Sequence, residues 1–468
     1  LNLPAGLGAF VGLEQLALRA YLLVMAAQLL RLGLTPLRVP RAARPPASWP
    51  SLTLQLPVRD EGEVGRRVIR MAAALDYPRD RLELQVLDDS EPGSASAHAV
   101  EEAVDEARRG GVEVALLRRP TRDGGKAGNL QHGLGLARGE LLVILDADTI
   151  APPGFLRGLV AALEEDGRAV MAQGAQRFDN ADHGPLQRSQ ALMVEGLVQV
   201  EQAIRSARGQ PLHFNGTGGV WRREVVEALG GWRGVCEDFD LSLRAWLAGH
   251  RMLHRVDLPF RSELAWTMAD LRRQQRRWTA GKAAAVREAL PRMLDGTHPP
   301  ALVLEMLAPL VSRLLHAFVV LLVLTMPLTA LGWLEVPGPG REVDLALLAL
   351  VFGGGALHLR RTGRAGLPGA LVAAAAMLVG VSFVCTRGLV EGLLGRELTF
   401  ERTPKGGARG RGDPSGWVET AAGAVCLLTA PAAWGRGDPG GAAGLLALAA
   451  SLLWVGLGAR WWEGPARG

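Results

Sequence analysis

Three acidic groups and a basic, aromatic cluster stand in a fixed order within this 468-residue chain: Asp88-Asp89, Asp146-Ala147-Asp148, Glu237-Asp238, then Gln274-Gln275-Arg276-Arg277-Trp278. Asp88-Asp89 closes the run Leu84-Gln85-Val86-Leu87, and Asp146 closes Leu141-Leu142-Val143-Ile144-Leu145. Short apolar runs ending in acid read as buried parallel strands with carboxylates at their C-terminal tips, where open α/β sheets bind ligands. Two aspartates one residue apart at such a tip can share a divalent cation with a diphosphate. Hard oxygen ligands suit Mg or Mn, and the cation offsets phosphate charge. The donor this chemistry calls for is a nucleotide-diphosphate compound.

Between the two acidic tips, Arg122-Asp123-Gly124-Gly125-Lys126-Ala127-Gly128-Asn129 enters a helix. Its glycines allow close backbone approach and Lys126 supplies a mobile positive charge for phosphate. The glycine spacing and Lys-Ser/Thr pair of a phosphate-binding P-loop are missing. His213-Phe214-Asn215-Gly216-Thr217-Gly218-Gly219 is a glycine-rich loop in which Phe214, Asn215, Gly216 and Thr217 are candidate acceptor contacts, against the plainer alternative of a tight structural turn. Glu237, Asp238 and Asp240 open a helix, and carboxylates there are ordinarily partners of the helix dipole. That account covers Glu237 and Asp240. Asp238 is the candidate general base, since a hydroxyl attacking a sugar carbon must lose its proton. A helix from about Met268 to Leu290 carries Gln274 and Trp278 on one face by i, i+4 spacing. Trp278 is expected to form a platform for an acceptor sugar, Arg277 to face the leaving diphosphate, and Gln274 to bond a sugar hydroxyl.

The elements that must position these groups begin at Leu52-Thr53-Leu54-Gln55-Leu56-Pro57, an alternating strand, after which Asp60 and Glu61 are expected to cap a helix. Hydrophobic residues make up 48% of the chain and charged residues 21%, so the apolar content must be concentrated somewhere. It lies at both ends. Residues 1–35 read as a transmembrane anchor, long enough for a bilayer core of about 30 Å, with no basic leader or small-residue cleavage site to suggest a signal peptide. Residues 36–51 form a stiff basic linker whose Arg38, Arg41 and Arg44 place the segment after them in the cytoplasm. Residues 52–299 hold the chemistry. Residues 300–468 form a multi-span membrane region with candidate spans near 302–333, 343–358, 368–390, 417–434 and 441–462 and a basic loop near 396–415. Both His358-Leu359-Arg360-Arg361 and that loop look cytoplasmic, yet one span separates them. Either the segment 368–395 re-enters, or Arg387 to Leu394 lies flat as an interfacial helix. The net charge of +5 reflects Arg-rich surfaces and basic loops beside spans, and no nucleic-acid partner is expected. Three scattered cysteines, Cys236, Cys385 and Cys426, form no disulfide framework or zinc spacing.

Taken together, the motifs resemble family 2 glycosyltransferases, the membrane-embedded enzymes that include cellulose, glucomannan and hyaluronan synthases. The likeness is greatest to cellulose-synthase-like mannan synthases and their bacterial relatives. It rests on Gln85 to Ser90, Gly125 to Gly128, Asp146 to Asp148, Phe214 to Arg222, Gly230-Gly231-Trp232, Glu237-Asp238 and Gln274 to Trp278, and it covers about Leu52 to Lys282. Phe400-Glu401-Arg402-Thr403-Pro404-Lys405 also resembles a loop these synthases carry near the active-site mouth. The resemblance implies an α/β GT-A, Rossmann-like cytoplasmic domain plus an α-helical transmembrane region. It implies nucleotide-sugar binding by Asp88, Asp89, Lys126 and Asp146, a metal (Mg or Mn) on Asp146 and Asp148, and catalysis by Asp238, Gln274, Arg277 and Trp278. Two departures stand out. Arg59-Asp60-Glu61 replaces the family's aromatic residue followed by Asn-Glu, at the position expected to stack on the base, and Cys236 precedes Glu-Asp.

The function expected is inverting, metal-dependent transfer of a hexose from UDP-glucose or GDP-mannose to a growing β-glycan. Single transfer to a membrane lipid and a non-catalytic nucleotide-binding membrane protein are the alternatives. Binding without turnover predicts loss of the base or of the metal aspartates, and all are present. The expected partners are a nucleotide-sugar donor, a glycan or lipid acceptor and the membrane, in the bacterial inner membrane with the catalytic domain cytoplasmic.

Overall fold

The computed structural model describes residues 5–37, 39–334, 341–362, 367–396 and 416–461. The segment Phe400 to Lys405 and most of the expected basic loop lie outside them.

Seven strands form one sheet: β1 (Leu52–Val58), β2 (Leu82–Asp88), β3 (Glu113–Leu117), β4 (Leu141–Ile144), β5 (Ala169–Phe178), β6 (Gly219–Arg222) and β7 (Arg251–Ser262). Their order is β3-β2-β1-β4-β6-β5-β7. Only β6 runs against its neighbours, β4 and β5. The central strands are buried on both faces, which is why they read as near-continuous apolar runs. Alternation assigns each residue its side. Leu141 and Val143 join one core with Leu52, Leu54 and Leu56, while Leu142 and Ile144 join the other with Trp221.

The helices of the sheet domain are α2 (Glu63–Ala73), α3 (Ala95–Arg109), α4 (Gly125–Leu134), α5 (Phe155–Asp166), α6 (Pro185–Glu195), α7 (Gln202–Ala207), α8 (Arg223–Ala228), α9 (Glu237–Leu247) and α10 (Met268–Met293), after the N-terminal α1 (Ala5–Leu34). Helices α2, α3 and α5 cover the first face, and α4, α9 and α10 the second. Ser94 caps α3 by accepting from Ala97 N, and Thr267 caps α10 by accepting from Asp270 N, both at 3.1 Å. Asp60 is not a cap. Its backbone is left-handed at φ 51°, its carboxylate accepts from Glu91 N at 3.0 Å, and Gly62 takes the N-cap position of α2. The linker between strand and helix is thus tied to the tip of β2 instead.

Beyond the sheet domain come α11 (Pro300–Ala330), α12 (Arg341–Leu359), α13 (Leu367–Gly380), α14 (Ser382–Leu393), α15 (Gly416–Gly435) and α16 (Pro439–Trp461). Among the described residues, Gln15–Leu34, Pro300–Ala330 and Pro439–Gly458 are long and apolar enough to cross a membrane. The pair α13–α14 adds a fourth span if counted as one, but it bends by 51°. Helix α14 packs along α10, where a Cβ on Gly388 would come within 2.6 Å of the Arg276 carbonyl oxygen. Helix α14 thus runs back along the sheet domain after the bend. Gly33 and Gly354 let α1 and α12 lie close, as small residues do between membrane helices.

Candidate active site

A cavity of about 380 Å³ opens at the strand tips and runs from Asp89 and Lys126 to Arg313 and His316 on α11 and Met377 on α13. Its polar end is built by four loops, those that follow β2, β3 and β4 and the one that precedes β6. Gly124 (φ 70°) and Gly125 (φ 55°) turn the chain into α4 and aim Lys126 at the second acidic tip. The Lys126 ammonium lies 2.7 Å from Asp146 and 3.2 Å from Glu237, and donates to the Gly216 carbonyl at 2.9 Å. Burial alone would lower the Lys126 pKa, but Asp146 and Glu237 reverse this and hold it well above the ordinary lysine value.

Loop 213–218 is stitched to the acidic tip. Thr217 Oγ1 accepts from Asp146 N at 2.9 Å and meets Thr149 Oγ1 at 2.8 Å. Gly216 has φ 81°, a backbone conformation that favours glycine, and a Cβ there would crowd Asp238 Oδ2 at 3.1 Å. The Asn215 amide oxygen accepts from Gln202 at 2.8 Å, while its buried NH2 has no partner among the described residues. Asp148 is buried, and its Oδ2 accepts from Glu263 N at 3.0 Å.

Asp238 sits in the first turn of α9, with Oδ1 accepting from Phe239 N at 2.8 Å. Burial raises its carboxyl pKa, and Lys126, Lys282 and Arg277 pull it back. Glu237 is likewise raised by burial and lowered by Lys126. The Cys236 thiol, pushed up to about 12 by burial, stays protonated and is no nucleophile. Gln274, Arg277 and Trp278 of α10 all line the cavity.

The pair Asp146 and Asp148 fits Mg or Mn held jointly with a diphosphate. Both carboxylates line the cavity, and among the described residues no cluster of three or more ligating side chains exists, so the remaining positions would fall to phosphate oxygens and water.

Most of the expected site residues converge, but two do not. Asp88 is absent from the cavity wall. As the last residue of β2 its side chain is fully buried, accepting from Ser90 N at 2.9 Å and from Arg118 Nε at 2.9 Å. Its neighbour Asp89 does face the cavity, held by Arg119 through two bonds of 2.8 and 2.6 Å. Phe214 is also no part of the wall. Its ring is 1% exposed and packs 5.9 Å from Trp221, so it supports the loop from the core and cannot stack on a sugar. Glu237, expected only as a dipole partner, is an ion-pair partner of Lys126. Glu263 and Arg313 reach the site from other elements and had no signal in the local pattern, while Arg119 and Lys282 flank the motifs at Lys126 and Trp278 without belonging to them.

Residues 50–281 match the family described as "Glycosyltransferase like family 2". A probable glucomannan 4-beta-mannosyltransferase of Oryza sativa subsp. japonica is 38% identical over 242 residues, 51% of this chain and 42% of that protein. A glucomannan 4-beta-mannosyltransferase of Arabidopsis thaliana is 35% identical over 247 residues, 52% and 44% of the two chains. The chain thus spans under half the length of these relatives. A mannosyltransferase from Pyrobaculum calidifontis, solved in complex with GDP-Man and Mn2+, superimposes with a TM-score of 0.53 at 21% identity, covering 84% of this chain and 100% of that one, which shows a shared fold. The segment from residue 50 to 281 is a family 2 glycosyltransferase domain of the GT-A type.

Proposed function

We propose that the chain transfers mannose from GDP-mannose, with inversion, to the end of a growing β-glycan at the membrane. One observation carries this: a single cavity joins the Lys126–Asp146–Glu237 cluster and Asp238 to the Gln274, Arg277 and Trp278 face of α10, and continues onto α11 and α13. Mannose is favoured over glucose by the curated relatives, whose names specify mannosyl transfer.

In this mechanism Asp89 holds the nucleoside, and Asp146 with Asp148 would hold a divalent cation. When bound, that cation offsets charge on the departing phosphates. The acceptor hydroxyl oxygen forms a bond to the sugar C1 as the C1–O bond to the diphosphate breaks, its electron pair leaving with GDP and the hydroxyl proton passing to Asp238. Lys126 and Arg277 face the departing charge, and Trp278 and Gln274 orient the acceptor. One displacement without a covalent enzyme intermediate inverts the anomeric centre. Arg41, whose carbonyl accepts from Arg255 of β7, and Arg361, which donates to the Thr35 carbonyl just after α1, lie on the sheet-domain side of their helices, which supports a cytoplasmic domain under the positive-inside bias and, in our reading, the bacterial inner membrane.

Donor choice is the test. Purified full-length protein with Mn is offered GDP-mannose and UDP-glucose separately, and nucleotide release with acceptor is measured. Preference for GDP-mannose is expected. Preference for UDP-glucose would replace the donor, and turnover of neither would reject the transfer itself. The apolar wall of Met377, Leu378 and Val381 keeps single transfer to a membrane lipid as the second reading, separated by the size of the product.

A further inference from the structure

Helix α10 has two faces. With about 100° per residue and Arg272 at zero, Gln275 lies near −60° and Arg276 near 40°, whereas Gln274, Arg277 and Trp278 fall between about 140° and 240°. The second group lines the cavity, and Gln275, at the edge of the first, reaches its wall as well. The first group meets the membrane-region helices, one after another. Arg272 donates to both carboxylate oxygens of Glu419, in the first turn of α15, at 3.0 and 2.8 Å. Arg276 donates to both oxygens of Glu391, on α14, at 2.9 and 2.8 Å, and Arg387 also reaches Glu391 at 2.9 Å. Gln275 accepts from Arg313 of α11 at 3.1 Å.

The carboxylates of these contacts are buried, although the Arg276 guanidinium is 38% exposed. The Arg272 and Glu419 side chains are 1% and 0% exposed, and Glu391 is 8% exposed. Arg276 makes the planar, two-point guanidinium–carboxylate bond, through Nε and one terminal nitrogen, that fixes direction as well as distance, while Arg272 meets both Glu419 oxygens through a single terminal nitrogen. Gly388 and Gly392 on α14 press against the carbonyl oxygens of Arg276 and Ala280, so the helix that carries Glu391 touches the α10 backbone itself. A cavity residue one turn away is therefore held in register by groups that belong to the membrane region.

We propose that Glu391 and Glu419 set the position of the acceptor face of α10, making Arg272 and Arg276 positioning residues for Gln274, Arg277 and Trp278. The nucleoside and cation contacts of the donor, Asp89, Asp146 and Asp148, are built at the strand tips on other elements and lie outside this clamp. The inference rests on the proposed transfer and concerns which half of the molecule controls its acceptor side.

The experiment uses full-length protein in lipid nanodiscs, comparing parent, E391Q, E419Q and the charge exchange R276E/E391R. Glu391 is the principal probe, because the fully buried Glu419 is the more dangerous to folding. Three quantities are read: Mn-dependent GDP-mannose binding, kcat/KM for a β-mannooligosaccharide acceptor, and amide hydrogen exchange over residues 268–282. For E391Q an acceptor kcat/KM at least about 10-fold lower is expected, with donor affinity within about 2-fold and faster exchange confined to α10. The exchange variant is expected to recover part of the loss, since the Arg–Glu pair between α10 and α14 is restored while Arg387 then meets an arginine in place of Glu391. Acceptor kinetics within about 2-fold of the parent, donor affinity falling in parallel, or unchanged exchange in α10 would each overturn the proposal. A parent protein inactive on GDP-mannose would refute the transfer reading, while the exchange pattern would still decide the clamp.

Discussion

Replacing Asp238 by Asn separates the base from everything else the residue does. The amide keeps an oxygen to accept from Phe239 N, now at 2.8 Å, and needs no more room beside Gly216. What disappears is the ability to take a proton. General-base catalysis contributes about 10²- to 10⁴-fold, or about 3–5 kcal/mol of barrier. The contacts made by Asp89, Asp146 and Asp148 are untouched, so donor affinity is expected to stay within about 3-fold, under about 1 kcal/mol. Because burial raises the Asp238 carboxyl pKa, its ionised form costs folding stability at every pH above the unfolded value, and Asn is expected to leave Tm at pH 7 unchanged or higher. The parent needs the ionised form, so kcat/KM falls as pH drops through that raised pKa, and the variant lacks this limb. Transfer of labelled mannose to an acceptor, with Mn-dependent nucleotide binding on the same preparations, measures each term. A variant within about 10-fold of the parent, or one that keeps the acid limb, would remove Asp238 as base.

The same geometry gives four further expected outcomes. Asp148→Ala is expected to abolish the Mn-dependent part of donor binding, seen by titrating nucleotide with and without the ion; unchanged affinity would move the metal elsewhere. Trp278→Ala is expected to weaken acceptor use more than donor hydrolysis, and an equal loss of both would end its role as platform. Gly216→Ala places a methyl 3.1 Å from Asp238 Oδ2 on a backbone with φ 81°, so a loss of about 1–2 kcal/mol in stability is expected, with a larger loss of turnover; a neutral result in both would show that the loop yields. Arg119→Met strips the partner from a carboxylate that is 6% exposed, at an expected cost of about 3–5 kcal/mol, read as a lower Tm and weaker nucleotide binding.

The strand tips were legible because burial on both faces leaves continuous apolar runs, and a carboxylate ending such a run has few reasons to be there. Lys126 was legible for a similar reason, since glycines with positive φ mark the turn into α4. What the sequence could not show is how neighbours divide their labour. Asp88 and Asp89 look alike in a string, but strand alternation sends them to opposite sides, and Arg118 and Arg119 then claim one each. Phe214 shared a loop with Asn215 and Thr217, yet the ring filled the core beside Trp221 and Trp232. The ambiguity between re-entry and an interfacial helix was a matter of counting charges. Gly388, Gly392 and Glu391 seat α14 against α10 through contacts more than 100 residues apart in the chain.

The most direct measurement is the structure of the product. Full-length protein in nanodiscs is given GDP-mannose, Mn and a β-mannooligosaccharide, and the product is characterised by NMR of its new anomeric proton and by linkage analysis. A new β-mannosyl residue at the acceptor's non-reducing end is expected, from a donor in which the leaving group is α-linked. A new α-linkage would contradict single displacement with Asp238 as base, and free mannose without transfer would contradict the acceptor face of α10.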